Sequence, residues 1–188
     1  MESEPSPIDI FAAVAEASSS LQLPLLVIGG HAVNAYGYSR TTLDADFLIA
    51  SDDLPAWRKA LESFGWRWAG QTETFAKFLP PDTNPFLLPV DMMLVTRETF
   101  QKLQVEHREL DFGPTRLPVP QPLFLIALKL HAMKNDHRRE LGRDLPDILQ
   151  IIRLGSIDTN GIDFQQIVER YANGPTRILL KRALENHQ

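Results

Sequence analysis

The chain contains no cysteine among its 188 residues. Disulfide bonds, thiolate zinc sites and cysteine nucleophiles are therefore excluded, and a reducing, cytoplasmic location is the expectation. The acidic start, MESEPSPIDI, lacks the basic segment and apolar segment of a signal peptide. No apolar run is long enough to span a bilayer, so we expect no membrane partner.

Basic residues are fewer than acidic ones: the chain has 19 Lys and Arg and 24 Asp and Glu, which gives a formal net charge of -5. Tight, nonspecific binding to nucleic acid needs clustered Lys and Arg to neutralise phosphates, so it is not expected, although a local basic patch stays open. Hydrophobic residues make up 44% of the chain, which is typical of a soluble globular protein.

Strand patterns occur before residue 120, and helical patterns dominate after it. We predict an α+β fold with a mixed β-sheet flanked by helices over residues 8–120, and a helical C-terminal part packed on this core over 121–188. Residues 1–7 would form a frayed tail. The predicted strands are 25–28, 44–49, 74–79 and 87–95, with a hairpin over 110–119. The predicted helices are 8–21, 31–38, 54–64, 98–105, 123–133, 144–154, 163–171 and 176–187. Ser51-Asp52-Asp53 is expected to cap the helix that begins at Leu54.

Two acidic residues, Asp44 and Asp46, lie two positions apart in a predicted strand. The period of a strand is two, so both side chains would point to the same face. The two carboxylates would repel each other unless a cation lay between them, and oxygen ligands of this kind suit Mg²⁺ or Mn²⁺. A turn or a neighbouring helix cap is the alternative explanation for such a pair.

A third acid, Asp91, is the one charged residue between Leu87 and Val95. A buried carboxylate is costly unless it is paired or bound to a metal. With Asp44 and Asp46 it would supply three carboxylates from two strands, an arrangement that can hold two divalent ions about 3.5–4 Å apart for in-line nucleotidyl transfer. A charge on an edge strand is the alternative.

A glycine pair, Gly29-Gly30, follows an apolar strand and precedes a predicted helix. Glycine lets the backbone approach a ligand closely, and the first amides of a helix can donate to an anion. Most glycine pairs are tight turns. Here the acids that follow favour a phosphate-binding position at the same edge of the sheet.

These features resemble the DNA polymerase β-type nucleotidyltransferase superfamily. Within it, the chain is most similar to the abortive-infection (AbiEii-like) toxins of bacterial toxin–antitoxin systems and to minimal nucleotidyltransferases. The resemblance covers roughly residues 25–150 and is carried by Ile28-Gly29-Gly30, Arg40-x-Thr42-x-Asp44-x-Asp46, Val90-Asp91-Met92 and two distal segments, 128–132 and 143–147.

The resemblance implies a role for each matching residue. Asp44, Asp46 and Asp91 would be the metal ligands and catalytic acids, and Asp91 would also accept the proton of the acceptor. Gly29 and Gly30 would cradle phosphate.

Four further residues are implied by the same resemblance. Arg40 and Thr42 would contribute to nucleotide binding or support the carboxylates, with ordinary loop hydrogen bonding as the alternative. Lys129 would lie on a helix facing the cleft and stabilise phosphate charge, with Asp144 orienting it or taking part directly. A solvated helix face is the alternative for Lys129, although its apolar neighbours favour a buried partner such as Asp144.

Two departures from the family pattern stand out. Position 30 is Gly where many relatives have Ser, so a hydroxyl contact to phosphate is missing. The stretch 133–142, which contains His137, Arg138 and Arg139, is longer than expected; a solvated turn is favoured over a basic loop at the cleft. His131 and His137 are not spaced as metal ligands.

The first functional hypothesis is an enzyme that uses Mg²⁺ or Mn²⁺ to move a nucleoside monophosphate from a nucleoside triphosphate to an acceptor hydroxyl. The resemblance implies a tRNA, a protein or a small molecule as acceptor, and an antitoxin as a partner. One alternative is a catalytically decayed protein on the same fold that acts by binding. Another is a nucleotidyltransferase of the antibiotic-resistance type, which modifies small molecules.

Overall fold

The computed structural model describes residues 9–84, 86–140 and 142–186. The tail predicted for residues 1–7, and the end of the last predicted helix at His187, lie outside them. The chain forms two compact units. One comprises Met1–Ala35 and Arg40–Pro120, and the other Tyr36–Ser39 and Gln121–Gln188. We call them the sheet unit and the helical unit. The predicted packing of 121–188 on the core stays a prediction.

The sheet unit contains all the described strands together with four helices, and the helical unit contains five helices in succession. In chain order the elements are α1 (Ile10–Leu21), β1 (Leu26–Val27), α2 (Gly29–Ala35), β2 (Ala45–Ala50), α3 (Leu54–Ser63), β3 (Arg67–Gln71), β4 (Phe75–Leu79), β5 (Val90–Val95), α4 (Arg97–Val105), β6 (Arg108–Phe112), β7 (Thr115–Val119), α5 (Pro122–Ala132), α6 (Asp136–Glu140), α7 (Asp144–Leu154), α8 (Ile162–Tyr171) and α9 (Gly174–Glu185).

Within the described residues the main sheet has five strands in the order β1-β2-β5-β4-β3, and β6 and β7 form a separate hairpin. Strands β2 and β5 run parallel, and the other neighbouring pairs run antiparallel. Phe47, Leu48 and Met92 on the two central strands are fully buried, because a strand in the middle of a sheet can be covered on both faces. The predicted α+β class with a mixed sheet is confirmed.

Strand β4 has the alternation of a strand with one buried face. Ala76 and Phe78 are buried, whereas Phe75 and Lys77 are exposed. Its neighbour β3 escaped prediction, because no residue of this edge strand is buried and a bulge interrupts its pairing between Trp68 and Gly70.

Asp53 occupies the N-cap position of α3, as predicted, and Ser51–Asp53 form a turn of 3-10 helix before it. Among the described residues, the Asp53 side chain makes no capping hydrogen bond to α3. Its carboxylate instead accepts two hydrogen bonds from Arg97, at 2.7 and 2.6 Å, and so ties the turn to the start of α4.

The helical unit is organised around α5, which packs against α7 and α8. Helix α5 is apolar along most of its length, and Leu125, Ile126 and Leu130 are buried. The solvated turn predicted over 133–142 is wrong in part, because residues 136–140 form the short helix α6, which has no buried residue. Among the helices described, none combines the length and the apolarity needed to cross a membrane.

Candidate active site

Three carboxylates converge at the centre of the main sheet. Oxygen atoms of Asp44, Asp46 and Asp91 all lie within 4.8 Å of one another, and each side chain is partly buried. We call these residues the carboxylate cluster. Asp46 and Asp91 are directly opposite each other in the parallel pair of β2 and β5, and Asp44 lies one residue before β2. The strand register therefore brings together acids that are far apart in sequence.

The cluster fits a hard divalent cation. Three carboxylate oxygens at this spacing repel one another, and a cation between them removes the repulsion. An all-oxygen donor set without sulfur or imidazole suits Mg²⁺ or Mn²⁺ better than softer metals.

Lys77 is a cation that the sequence analysis missed. Its Nζ lies 3.1 Å from Oδ1 and 3.4 Å from Oδ2 of Asp91. It lies on β4 directly opposite Asp91. Asp91 is therefore not the isolated buried charge that the sequence suggested: its side chain is 25% exposed and has a basic partner.

Gly29 lies against Asp46 so closely that no side chain fits between them. A Cβ added to Gly29 would lie 1.9 Å from Oδ2 and 2.7 Å from Cβ of Asp46. The φ angle of Gly29 is +65°, a conformation that other L-residues adopt at a cost. The first glycine of the motif is thus needed for the position of an acid of the cluster as well as for the turn into α2.

Gly30 is covered by the connector that precedes β2. A Cβ there would lie 2.6 Å from Oγ1 of Thr42 and 2.9 Å from a terminal guanidinium nitrogen of Arg40. The space that a serine would need is already filled by these two side chains. This contact gives a physical reason for glycine at position 30.

The connector is held by hydrogen bonds from both ends. The Asn34 amide donates to the Arg40 carbonyl at 2.8 Å and accepts from the Arg40 N–H at 3.1 Å. The Thr42 hydroxyl lies 3.3 Å from Oδ1 of Asp44, to which it donates. Arg40 and Thr42 therefore link α2 to the carboxylate cluster, and the structure brings them together with Gly30 and Asp44.

His31 lies on α2, next to Phe11 of α1. Its ring makes an edge contact with Phe11, with centroids 4.8 Å apart, and its Nε2 is buried without a hydrogen-bond partner among the described residues. Burial lowers the pKa of His31 below its usual 6.5, against the opposing effect of Asp44. His31 lines a cavity of about 410 Å³ together with Asp9 and Asp111. Burial is thus the largest influence on the pKa of His31 and outweighs the opposing effect of Asp44.

Lys129 and Asp144 meet inside the helical unit, where a second acid joins them. Lys129 Nζ lies 3.3 Å from Oδ1 of Asp144 and 2.6 Å from Oδ2 of Asp147. The three side chains are 8%, 5% and 1% exposed. Arg138, from α6, also donates to Asp144 at 3.2 Å. This buried network links α5 to α7, and Asp147 is a member of it to which the sequence pattern gives no role.

The structure thus assembles the predicted residues in two groups. The sheet unit holds the carboxylate cluster with the two glycines and the connector, and the helical unit holds Lys129 with Asp144. Lys77 was missed because nothing local in the sequence says which strand will lie beside the strand of Asp91.

Comparison with known proteins agrees with this geometry. The profile of the family described as "AbiEii: Nucleotidyl transferase AbiEii toxin, Type IV TA system" matches residues 13–187. The search of curated proteins gave no match.

Solved structures with a similar fold are nucleotidyltransferases. ANT(2")-Ia in complex with adenylyl-2"-tobramycin superposes with a TM-score of 0.66 and 16% identity, over 85% of this chain and 95% of that one. An antigenic nucleotidyltransferase-like protein from Paracoccidioides brasiliensis gives 0.59 and 18%, over 94% and 90%. The lincosamide antibiotic adenylyltransferase LnuA, lincomycin-bound, gives 0.54 and 12%, over 75% and 93%. At these identities the likeness establishes the nucleotidyltransferase fold.

Proposed function

The chain belongs to the AbiEii family of nucleotidyl transferases, and from that premise we propose that it is a divalent-metal-dependent enzyme. It would move a nucleoside monophosphate from a nucleoside triphosphate to an acceptor hydroxyl. The observation that carries the proposal is the convergence of carboxylate oxygens of Asp44, Asp46 and Asp91 within 4.8 Å of one another where β2 and β5 begin.

In this proposal the carboxylate cluster holds Mg²⁺ or Mn²⁺. The bound cation would neutralise charge on the triphosphate and on the groups that form and leave. Gly29 and Gly30 would cradle phosphate, as the family resemblance implies, and the Arg40 guanidinium adds positive charge beside Gly30. Thr42 keeps Asp44 in place through its hydroxyl.

The reaction forms one bond and breaks one. The acceptor oxygen bonds to the α-phosphorus, the bond from that phosphorus to the bridging oxygen breaks, and pyrophosphate leaves with the bonding electrons. Asp91 takes the proton of the acceptor hydroxyl, since a carboxylate near the attacking oxygen can act as a general base. Atoms and charge balance without any oxidant or reductant.

The acceptor is proposed by class: a tRNA end, a protein hydroxyl or a small molecule. Two structural neighbours are named for small-molecule chemistry, an adenylylated tobramycin and a lincosamide. The family description names a toxin, and we propose that this protein is the toxin of a toxin–antitoxin pair with a cognate antitoxin.

The catalytic role proposed for Lys129 and Asp144 needs a test that separates chemistry from folding. Both side chains are buried, and Lys129 already has two acidic partners. We propose that they support activity, and urea unfolding of Lys129→Met beside its activity separates the two effects.

The alternative of a catalytically decayed binding protein is not favoured, because all three acids are present and close together. A decayed site would be expected to have lost at least one of them.

The test is binding of Mn²⁺, followed by binding of each of the four nucleoside triphosphates with and without Mg²⁺. We expect the wild type to bind both, and Asp46→Asn to lose the metal. Asp82→Asn is the matched control, because Asp82 is 79% exposed on a loop and pairs with Arg67 away from the cluster. Metal binding that is unchanged in Asp46→Asn would contradict the proposal.

The acceptor is found by mass shift. The wild type is incubated with each labelled nucleotide and with tRNA, cell protein or small hydroxyl compounds. The masses of the products are then measured by mass spectrometry. We expect one acceptor class to gain a nucleoside monophosphate and pyrophosphate to be released in equal amount. Transfer that survives Asp44→Ala combined with Asp46→Ala would refute the mechanism.

The toxin proposal is tested by expression. Growth arrest that depends on Asp46 and is relieved by the product of a neighbouring gene is the expected result. Normal growth at high expression of an active enzyme would contradict the toxin role and leave the transferase activity standing.

A further inference from the structure

A row of charged side chains crosses three neighbouring strands of the main sheet. Asp46 on β2 is opposite Asp91 on β5, and Asp91 is opposite Lys77 on β4. Residues directly opposite each other across neighbouring strands project to the same face of a sheet. Lys77 therefore continues the row of acids beyond Asp91, on the side away from Asp46.

Lys77 contacts the same oxygens that a metal would use. Its Nζ lies 3.1 Å and 3.4 Å from the two carboxylate oxygens of Asp91. Its side chain is 51% exposed, so the flexible stem leaves the ammonium free to move. A divalent cation and the ammonium must compete for Asp91, because both are attracted to the same pair of oxygens.

We propose that Lys77 is a phosphate-binding residue that exchanges Asp91 for an anionic phosphate oxygen when the metal–nucleotide complex binds. The inference rests on the proposed function. When Asp91 binds the divalent cation, the Lys77 ammonium would be repelled by that cation. It would be attracted by the negative phosphate oxygens of the bound nucleotide. Lysine acts well in this role, because its ammonium is a compact point charge on a long stem.

A purely structural role predicts something different. A half-exposed cross-strand ion pair adds little to stability, and its loss would leave ligand affinities unchanged. Exchange of partners instead predicts that loss of the lysine charge has opposite effects on two ligands. The free metal would bind more tightly, and the metal–nucleotide complex would bind more weakly.

The experiment compares Lys77→Gln and Lys77→Arg with a matched control, Lys59→Gln, which removes the same charge from an exposed position on α3. Each folded protein is titrated first with Mn²⁺ alone, followed by electron paramagnetic resonance, and then with Mn²⁺ and a non-hydrolysable nucleoside triphosphate, followed by calorimetry. Thermal unfolding reports whether a variant is folded.

We expect Lys77→Gln to bind Mn²⁺ alone roughly three- to tenfold more tightly, because a like charge and a competitor are removed. It should bind the Mn²⁺–nucleotide complex at least about fivefold more weakly, because a charged contact to phosphate is lost. Lys77→Arg keeps the charge and should stay near wild type for both ligands. Lys59→Gln should change neither affinity.

Each outcome decides the question. If the wild type binds Mn²⁺ and the nucleotide, but Lys77→Gln has wild-type affinity for both or matches Lys59→Gln, the inference alone is overturned. Tighter Mn²⁺ binding with unchanged nucleotide binding overturns the phosphate contact. A folded wild type that binds neither ligand overturns the proposed function and this inference with it.

Discussion

Replacing Gly29 by alanine would press a methyl group against Asp46 of the carboxylate cluster. The added Cβ would lie 1.9 Å from Oδ2, 2.5 Å from Cγ and 2.7 Å from Cβ of Asp46. Non-bonded heavy atoms prefer a separation of roughly 3.5 Å, so the carboxylate must move by about 1.5 Å. A change of rotamer does not relieve the contact, because Asp46 Cβ is itself too close. The backbone of β2 or α2 must shift.

The magnitude follows from metal geometry. Mg²⁺ holds its oxygen ligands at about 2.0–2.1 Å in a near-ideal octahedron, so a carboxylate displaced by about 1.5 Å no longer ligates. We expect Gly29→Ala to lose at least about tenfold in Mn²⁺ affinity, equivalent to about 1.4 kcal/mol. The positive φ of +65° adds a separate cost in folding stability of about 1–2 kcal/mol.

Gly113→Ala is the matched control. The φ angle of Gly113 is +63°, and a Cβ there meets nothing within 4 Å. Both variants therefore carry the same backbone strain, and the Gly29 variant also carries the clash. Mn²⁺ titration and urea unfolding of the two variants separate the effects. If Gly29→Ala binds Mn²⁺ within twofold of Gly113→Ala, the contact with Asp46 does not control the site and the reasoning is refuted.

Three further predictions concern other parts of the molecule. Lys129→Met should lower the free energy of unfolding by about 3–5 kcal/mol in urea denaturation, because it leaves buried carboxylates without their ammonium. Lys181→Met, at a position 79% exposed, is the control and should have little effect. An inactive Lys129→Met protein with full stability would point to a direct chemical role instead. Gly30→Ser should weaken nucleotide binding and lower the thermal midpoint of unfolding, because its Cβ would lie 2.6 Å from Thr42 Oγ1. Adding Thr42→Gly should restore part of the lost affinity and stability. A Gly30→Ser protein that matches the wild type in both measurements would contradict this prediction. Burial lowers the pKa of His31, so the folded protein binds fewer protons than the unfolded chain, and stability should fall as pH drops below 6.5. Thermal midpoints measured against pH should show a smaller fall in His31→Phe than in the wild type. Identical pH profiles for the two proteins would refute the assignment of this pH dependence to His31.

Local patterns predicted much of the carboxylate cluster. The spacing of Asp44 and Asp46 gives them one face of a strand by the period of two alone. The glycine pair before a helix marks a close approach of the backbone, and the structure identifies Asp46 as the group that approaches Gly29. These inferences succeed because steric limits and strand period depend on residues that are near one another in sequence.

The errors have a common cause. Strand β3 was missed because its half-exposed residues carry no burial signal. Asp53 does occupy the N-cap of α3, but its carboxylate makes no capping bond there and instead accepts two hydrogen bonds from Arg97, far along the chain. In both cases a tertiary neighbour decided what the local sequence left open.

Local sequence patterns were enough to predict the fold class, the family and the three acids. The position of β5 between β2 and β4, which places Asp91 opposite both Asp46 and Lys77, follows from long-range strand pairing instead. Tertiary packing also decided that Thr42 and Arg40 fill the space over Gly30, and that Asp147 joins Asp144 at Lys129. The reason is that strand order and side-chain neighbours depend on contacts between distant segments, which no periodicity within a segment encodes.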